Sequence, residues 1–312
     1  MLLGLVLVCL AALSWGTTGS VMTLLAREGT PSPLLVGWAR MAGAAPCLLL
    51  ATALVRPSVR ARGDWRALDS AKAALLGAAM AAYQVCYFWA VPRTGVALTA
   101  LLAICSAPLM ITAGAALWLD ERPSPAARVA LLLAVAGTAM VLASPRPIGA
   151  ASSGIAAGGI AAGGIAAGGF AAGALAALGA GLSYAVYTVT AKGLLRRIPP
   201  LPLAALTFTL AAVLLTPVLV LERGAAAQLA AGWPLLLYLG VIPTAAAYVI
   251  FGAGLRRVTA TAAGIATLLE PLTAAALGVL VFGERWGGIG WAGAALLLAA
   301  LWLLTRARSE RQ

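Results

Sequence analysis

The chain contains no histidine, which removes histidine-based metal sites and histidine proton relays together. Acidic residues number only 9 in 312, too few and too scattered for a carboxylate-based catalytic centre. The four cysteines, Cys9, Cys47, Cys86 and Cys105, all fall inside apolar stretches. They have neither metal-ligand spacing nor an extracellular disulfide framework, so they read as small packing residues. There is no Walker-type loop, acyl-transfer triad, zinc pattern or paired-aspartate prenyl-transfer signature. No cofactor and no metal are expected, and the chain is not read as an enzyme.

What fills the sequence instead is apolar. With 62% hydrophobic residues, only 10% charged ones and a mean hydropathy of +1.00, a soluble domain of this length is excluded. A stretch of about 20 apolar residues crosses the ~30 Å hydrocarbon core of a bilayer. Ten such stretches are present, at about 2–26, 33–55, 73–91, 94–119, 127–143, 174–192, 201–221, 234–255, 258–283 and 286–305. Spans 3 and 4 are separated only by Pro92-Arg93-Thr94. The first span has no charged n-region and no small-residue cleavage site after it, and reads as a retained helix rather than a signal peptide.

The chain is internally duplicated. Pro108-Leu109 is followed by Glu121-Arg122, and Pro271-Leu272 by Glu284-Arg285, with 13 residues from proline to glutamate in both copies and 163 residues between them. A second echo, Leu13-Ser14-Trp15-Gly16 and Leu182-Ser183-Tyr184-Ala185, is offset by 169. Each copy holds five spans, an odd number, so the second must enter the membrane from the opposite side. The expected fold is therefore all-α and membrane-integral, with ten transmembrane helices in two inverted five-helix repeats. The expected units are 1–145, a linker 146–173, and 174–312 with a short basic tail. Inverted repeats place a transport site where the halves meet, near the bilayer midplane.

The net charge of +12 reflects topology rather than nucleic-acid recognition. With the N-terminus inside, the odd-numbered loops hold one basic residue each: Arg27, Arg93, Arg146, Arg223 and Arg285. The even-numbered loops and the tail hold fifteen, among them Arg56, Arg60, Arg62, Arg66, Lys72, Lys192, Arg196, Arg197, Arg256 and Arg257. That bias predicts both termini in the cytoplasm of a multi-pass protein of the cell membrane.

The linker carries the only low-complexity tract, Gly154-Ile155-Ala156-Ala157-Gly158 repeated and ending in Gly169-Phe170-Ala171-Ala172-Gly173. A five-residue period keeps no helical face apolar, and the Gly-Gly pairs disfavour helix. It reads either as a neutral expansion of a tolerant loop or as a hinge or gating segment.

Trp15-Gly16 in span 1, the Pro-Leu and Glu-Arg endings of spans 4 and 9, and Glu270-Pro271 together resemble the EamA branch of the drug/metabolite transporter superfamily. The resemblance runs from span 1 to span 10. It departs in the first half, where Ala107 precedes Pro108 and Asp120 replaces the glycine before Glu121. It implies a cytoplasmic-membrane carrier working by alternating access, commonly an exporter of amino acids, metabolites or drugs, as a monomer or homodimer. The partners are then a small-molecule substrate and the lipid bilayer, with protons as a possible coupling ion and no nucleic acid.

Glu270 is the clearest polar group inside a span. A carboxylate at mid-membrane must pair, face water or be protonated, which makes it a candidate for substrate-amine recognition or proton coupling. The alternative is a neutral structural carboxyl at the helix kink. Arg40 is the only basic residue within a span; it can bind a substrate carboxylate, pair with Glu270, or snorkel to the interface. Pro108 and Pro271, each roughly 20 Å along its helix, are expected to kink spans 4 and 9 at the site. Trp15, Tyr83, Gln84, Tyr87, Tyr184, Tyr187 and Tyr248 form the candidate wall, since hydroxylated aromatics suit an amphipathic molecule and cation–π contact suits an amine. Thr18 and Thr267 can add hydroxyls. Trp89, Trp233, Trp286, Trp291 and Trp302 fit the interfacial belt better. Glu121 and Glu284, at helix ends, are expected to fix structure through Arg122, Arg285 or nearby backbone. Two function classes follow: a secondary transporter, or a non-transporting membrane protein of scramblase-like or accessory type in which Glu270 and Arg40 merely pair.

Overall fold

The structure is a computed structural model and describes residues 2–27, 32–55, 68–144, 167–283 and 287–306. Ten helices in it are long and apolar enough to cross a membrane. They are α1 (Leu2–Arg27), α2 (Pro33–Leu54), α3 (Ser70–Thr94), α4 (Val96–Trp118), α5 (Pro125–Ala143), α6 (Ala167–Leu195), α7 (Pro200–Leu221), α8 (Trp233–Leu255), α9 (Ala260–Phe282) and α10 (Gly288–Arg306). Three are composite. Helix α7 pauses at Thr216-Pro217, α8 runs through a π-helical segment at Val241–Ala246, and α9 is interrupted at Leu268. No strand is present among the described residues.

Local sequence explains where the helices begin. Ser32, Ser124 and Thr259 accept hydrogen bonds from the backbone N–H groups of Leu35, Ala127 and Ala262, at 3.3, 3.2 and 3.2 Å, and cap α2, α5 and α9. Proline follows the cap in α2 and α5, where its missing N–H costs nothing. Asp69 caps α3 and also pairs with Lys72, whose side-chain and backbone hydrogen bonds hold the Asp69 carboxyl below the usual carboxylate range.

Large side chains point outward along the whole bundle. Leu10, Leu50, Leu117, Trp118, Leu132, Leu175, Val213, Leu280 and Leu298 are all exposed, a surface that only hydrocarbon tolerates. Trp89, Trp233, Trp291 and Trp302 are likewise exposed, and the guanidinium carbons of Arg93 and Arg306 sit 3.4 and 4.2 Å from the ring centroids of Trp89 and Trp302. Trp286 lies outside the described residues.

The packing has the symmetry of the duplication. Helix α3 packs on α6, and its counterpart α8 packs on α1; α4 packs on α6, and α9 on α1. The pairs α2–α7 and α5–α10 are each their own counterpart. The two repeats are thus interleaved rather than set side by side. Lipid offers no hydrophobic drive between helices, so close approach matters, and glycines supply it. A Cβ added at Gly137 would lie 2.6 Å from the Gly293 carbonyl oxygen, and one at Gly240 would lie 3.1 Å from the Gly43 Cα.

The sequence puts the break between spans 3 and 4 at Pro92-Arg93-Thr94, but α3 continues through Thr94 and the chain turns at Gly95, with φ 77°. Within α3, Pro92 sits in the last turn, where there is little helix left to kink. Gly95 is therefore a turn residue. The last glycine-rich repeat, Gly169–Gly173, was expected as linker and is instead the first part of α6. Its glycines permit contact: a Cβ at Gly173 would stand 2.6 Å from the Arg93 Cβ. The earlier copies of the repeat lie outside the described residues, as do Glu284 and Arg285.

Candidate functional site

A cavity lies where the two halves meet. Its wall comprises Trp15, Arg40, Tyr83, Ala103, Ile104, Ala107, Tyr184, Tyr248, Thr267 and Glu270. These residues come from α1, α2, α3, α4, α6, α8 and α9, so no single repeat makes the site.

Most of the lining falls into pairs related by the internal duplication. Trp15 corresponds to Tyr184 (184 − 15 = 169), and Ile104 to Thr267 (267 − 104 = 163). Ala107 corresponds to Glu270 at the same separation of 163 (270 − 107). The wall is therefore paired in position and asymmetric in charge, with a carboxyl on α9 where α4 has a methyl group.

The two prolines act differently. Pro271 ends the regular α9 ladder: the first segment stops at Thr267, Leu268 turns back to Ile265, and the second segment opens with Glu270 in its first turn. Pro108 lies inside an unbroken α4, so the expected interruption of both spans is seen only in α9. Each proline still deprives the carbonyl four residues earlier of its donor, which means Ile104 for Pro108 and Thr267 for Pro271. Both of those residues line the cavity, where something other than helix can satisfy them.

Seven of the residues singled out in the sequence, Trp15, Arg40, Tyr83, Tyr184, Tyr248, Thr267 and Glu270, come together on the wall. Tyr87 and Tyr187 stand behind it. Tyr87 stacks on Tyr83 at 5.9 Å between centroids, and Tyr187 lies 6.2 Å from Tyr184 and 5.8 Å from Tyr248. Trp15 anchors the aromatic cluster, 4.9 Å from Tyr248 and edge-on to Tyr184 at 6.3 Å. Gln84 is buried at the α2 contact, beside Gly37, and does not line the cavity. Thr18 is likewise off the wall, and its hydroxyl is buried without a partner.

The polar groups of the wall are underused. Arg40 is only 9% exposed, and its Nε donates to the Thr244 hydroxyl at 3.4 Å. Thr244 belongs to the π segment of α8 and donates its own proton to the Leu239 carbonyl at 2.7 Å. No ion pair joins Arg40 to Glu270 among the described residues. The indole N–H of Trp15 and the hydroxyl of Tyr184 are buried with no partner. An aromatic chamber with one cationic pole, one carboxyl and two unspent donors can hold a small polar organic molecule. The described residues contain no group of histidine, cysteine or acids able to hold a metal ion.

Sequence reasoning missed Ala103, Ile104 and Ala107, because small and aliphatic residues carry no chemical flag. The signal was available, since two of them are the 163-residue counterparts of Thr267 and Glu270. It also missed the surroundings of Glu121. That carboxylate does not turn to Arg122: its Oε2 accepts a hydrogen bond from the Ala260 backbone N–H at 2.7 Å, and its Oε1 lies 3.8 Å from Lys192 and 3.6 Å from Arg196. Among the described residues Arg122 forms no ion pair with it, whereas the start of α9 lies within hydrogen-bond reach.

Comparison with known proteins agrees with this architecture. A family model described as the EamA-like transporter family matches residues 2–143 and again 171–306. The chain is 35% identical over 314 residues to the uncharacterized transporter YwfM of Bacillus subtilis, covering 98% of this chain and 94% of that one. It is 30% identical over 127 residues to an uncharacterized transporter of Archaeoglobus fulgidus, 41% of this chain and 45% of that protein. A solved crystal structure superposes with a TM-score of 0.78 over 99% of this chain and 98% of the other at 20% identity, a likeness of fold. With the family model matched in both halves, the chain is a multi-pass membrane protein belonging to the EamA-like transporter family.

Proposed function

We propose that the protein is a secondary active transporter that exports a small zwitterionic metabolite, of amino-acid or betaine type, through the central cavity by alternating access. The observation that carries this reading is that Arg40 and Glu270 face one aromatic cavity without an ion pair between them. Each is an expensive group to keep in a membrane interior, and among the described residues neither forms an ion pair. A ligand with a carboxylate for Arg40 and a cationic nitrogen for Glu270 meets both needs at once. The ring faces of Trp15, Tyr83, Tyr184 and Tyr248 suit the cationic nitrogen and the carbon skeleton. In the alternative, a non-transporting protein, Arg40 and Glu270 would simply neutralise each other, and that pairing is not found among the described residues.

In the same reading both termini are cytoplasmic, the two five-helix repeats, α1–α5 and α6–α10, are the rocking halves, and the segment between α5 and α6 joins them. Glu270 is the candidate proton carrier, since a carboxyl that releases substrate nitrogen can take up a proton in its place.

Counterflow in proteoliposomes tests the proposal. Vesicles preloaded with an unlabelled amino acid or betaine are diluted into trace label, and the panel includes the matched amine and matched acid that lack one pole. Transient accumulation of a zwitterion, with little for its one-pole analogues, supports the reading. Equal counterflow of the amine alone, or none with any zwitterion by correctly inserted protein, overturns it.

A further inference from the structure

The corner between α8 and α9 is held by two side chains from elsewhere in the molecule. Lys192, near the end of α6, is 5% exposed, and its Nζ donates to the carbonyls of Leu255 at 2.7 Å and Val258 at 2.5 Å. Those are carbonyls at and just beyond the end of α8, where a cation is favoured. Glu121, just past the end of α4, accepts from the Ala260 N–H that opens α9, where an anion is favoured. The two side chains approach to 3.8 Å, with the more exposed Arg196 alongside at 3.6 Å.

The clasp sits at the end of a closed column. Every residue from Ala260 to Thr267 is buried, and this segment packs on α1, α4 and α5. Gly264 lies against Pro108 of α4, with 3.4 Å between an added Cβ and the Pro108 Cα. Eight helical residues, about 12 Å, therefore separate the Glu121 face from the cavity lined by Thr267 and Glu270. Glu121 belongs to the first repeat and Ala260 to the second, so opening this face must part them.

We infer that Glu121 and Lys192 form the clasp that keeps the cavity shut toward the Glu121 face, and that alternating access proceeds through its release. The inference rests on the alternating-access reading above, and in that topology the face is cytoplasmic. The carboxylate holds the start of α9, the ammonium holds the end of α8, and their mutual attraction joins the two grips. Releasing the clasp leaves two charges, two carbonyls and an N–H to be hydrated, which requires water to enter along the separating helices. The seal is therefore strong when dry and reversible when wet.

Access of a thiol reagent to the cavity tests this without knowledge of the substrate. In the full chain with the four native cysteines replaced, Ala107→Cys is labelled by a membrane-impermeant methanethiosulfonate from either face, in intact cells and in inside-out vesicles. With Glu121 intact, labelling from the Glu121 face is expected to be the slower of the two. Glu121→Ala is expected to raise the rate from that face about tenfold and to lower the rate from the other, because one conformation gains what the other loses. Glu121→Gln, which keeps the hydrogen bond and loses the charge, falls between. Arg196→Gln, at an exposed side chain, serves the same purpose should Glu121→Ala fail to insert, with a rise of two- to threefold expected. Unchanged rates from both faces in the Glu121 variants, or in Arg196→Gln when it stands in for them, overturn the clasp while leaving alternating access intact. If Ala107→Cys is labelled from only one face whatever the variant and the transport conditions, alternating access itself fails.

Discussion

Asp120 and Gly283 are counterparts in the two repeats, 163 residues apart, and both take a left-handed backbone, with φ of 54° and 69°. This turn ends α4 and sends the Glu121 N–H back to the Ala115 carbonyl at 3.1 Å, which fixes the direction in which the carboxylate leaves the helix. Aspartate tolerates this region better than most residues with a Cβ, and a β-branched residue does not. Asp120→Val is expected to cost roughly 1–3 kcal/mol and to mis-aim Glu121, whereas Asp120→Gly is expected to be neutral or slightly stabilising. Thermal unfolding of the detergent-solubilised variants ranks them. A valine variant as stable as the aspartate parent would show that the turn is not strained.

Gly137 and Gly293 give a second, separable prediction. Each blocks a Cβ on the other, at 2.6 Å from the Gly293 oxygen and 2.5 Å from the Gly137 oxygen, so Gly137→Ala must push α5 and α10 apart. Overpacking of this kind costs about 1–3 kcal/mol. Gly19, in α1, has nothing within 4 Å of an added Cβ, and Gly19→Ala should gain up to about 1 kcal/mol from helix propensity. Opposite shifts in unfolding temperature are expected, and a shared sign would contradict the packing argument.

Tyr184 offers a test of whether the cavity is built for a ligand. Its hydroxyl is buried with no partner, a state that costs roughly 1–3 kcal/mol when nothing satisfies it. Tyr184→Phe should therefore raise the stability of the ligand-free protein. It should also weaken binding of the transported molecule by roughly five- to tenfold, the value of one hydrogen bond. Thermal shift with and without the counterflow substrate separates the two effects. A loss of apo stability would mean that the hydroxyl already has a structural role.

The general architecture was legible in the sequence because membrane spans and their duplication leave long, redundant signals. The ten apolar stretches and the echo between Pro108 and Pro271 were enough to give ten helices and the inverted repeat. Chemically marked wall residues were legible for a similar reason: Glu270 and Arg40 stand out in hydrocarbon. What stayed hidden depended on register and distance. The π segment at Val241–Ala246 contains Pro243, but a proline does not say which irregularity follows, and this one puts Thr244 against Arg40. Gln84 and Thr18 looked like site residues by type, but helix rotation turns Gln84 to the α2 contact and leaves Thr18 off the wall. Lys192 counted as an ordinary loop charge until its burial between Leu255 and Val258 became visible. Local composition cannot report a partner more than sixty residues away.

Glu270 carries the mechanistic prediction. It stands one residue before the proline that interrupts α9, on the cavity wall, with no carboxyl counterpart at Ala107. Glu270→Gln preserves the shape and part of the hydrogen bonding, so the variant should fold and insert as the parent does. If the carboxyl only carries protons, substrate exchange across the membrane persists while concentrative, pH-dependent transport is lost, because rocking between states does not itself require the titration. If the carboxyl also grips the substrate nitrogen, exchange fails too, and the matched acid lacking that nitrogen should bind the variant as well as it binds the parent. Arg40→Gln should show the mirror image, losing discrimination for the carboxylate and keeping the pH dependence. Measuring exchange and uphill transport in the same proteoliposomes, from mildly acidic to mildly alkaline pH, distinguishes these outcomes. Full parental transport by Glu270→Gln across that range would reduce the residue to a structural companion of Pro271 and would remove the cationic-nitrogen pole from the site.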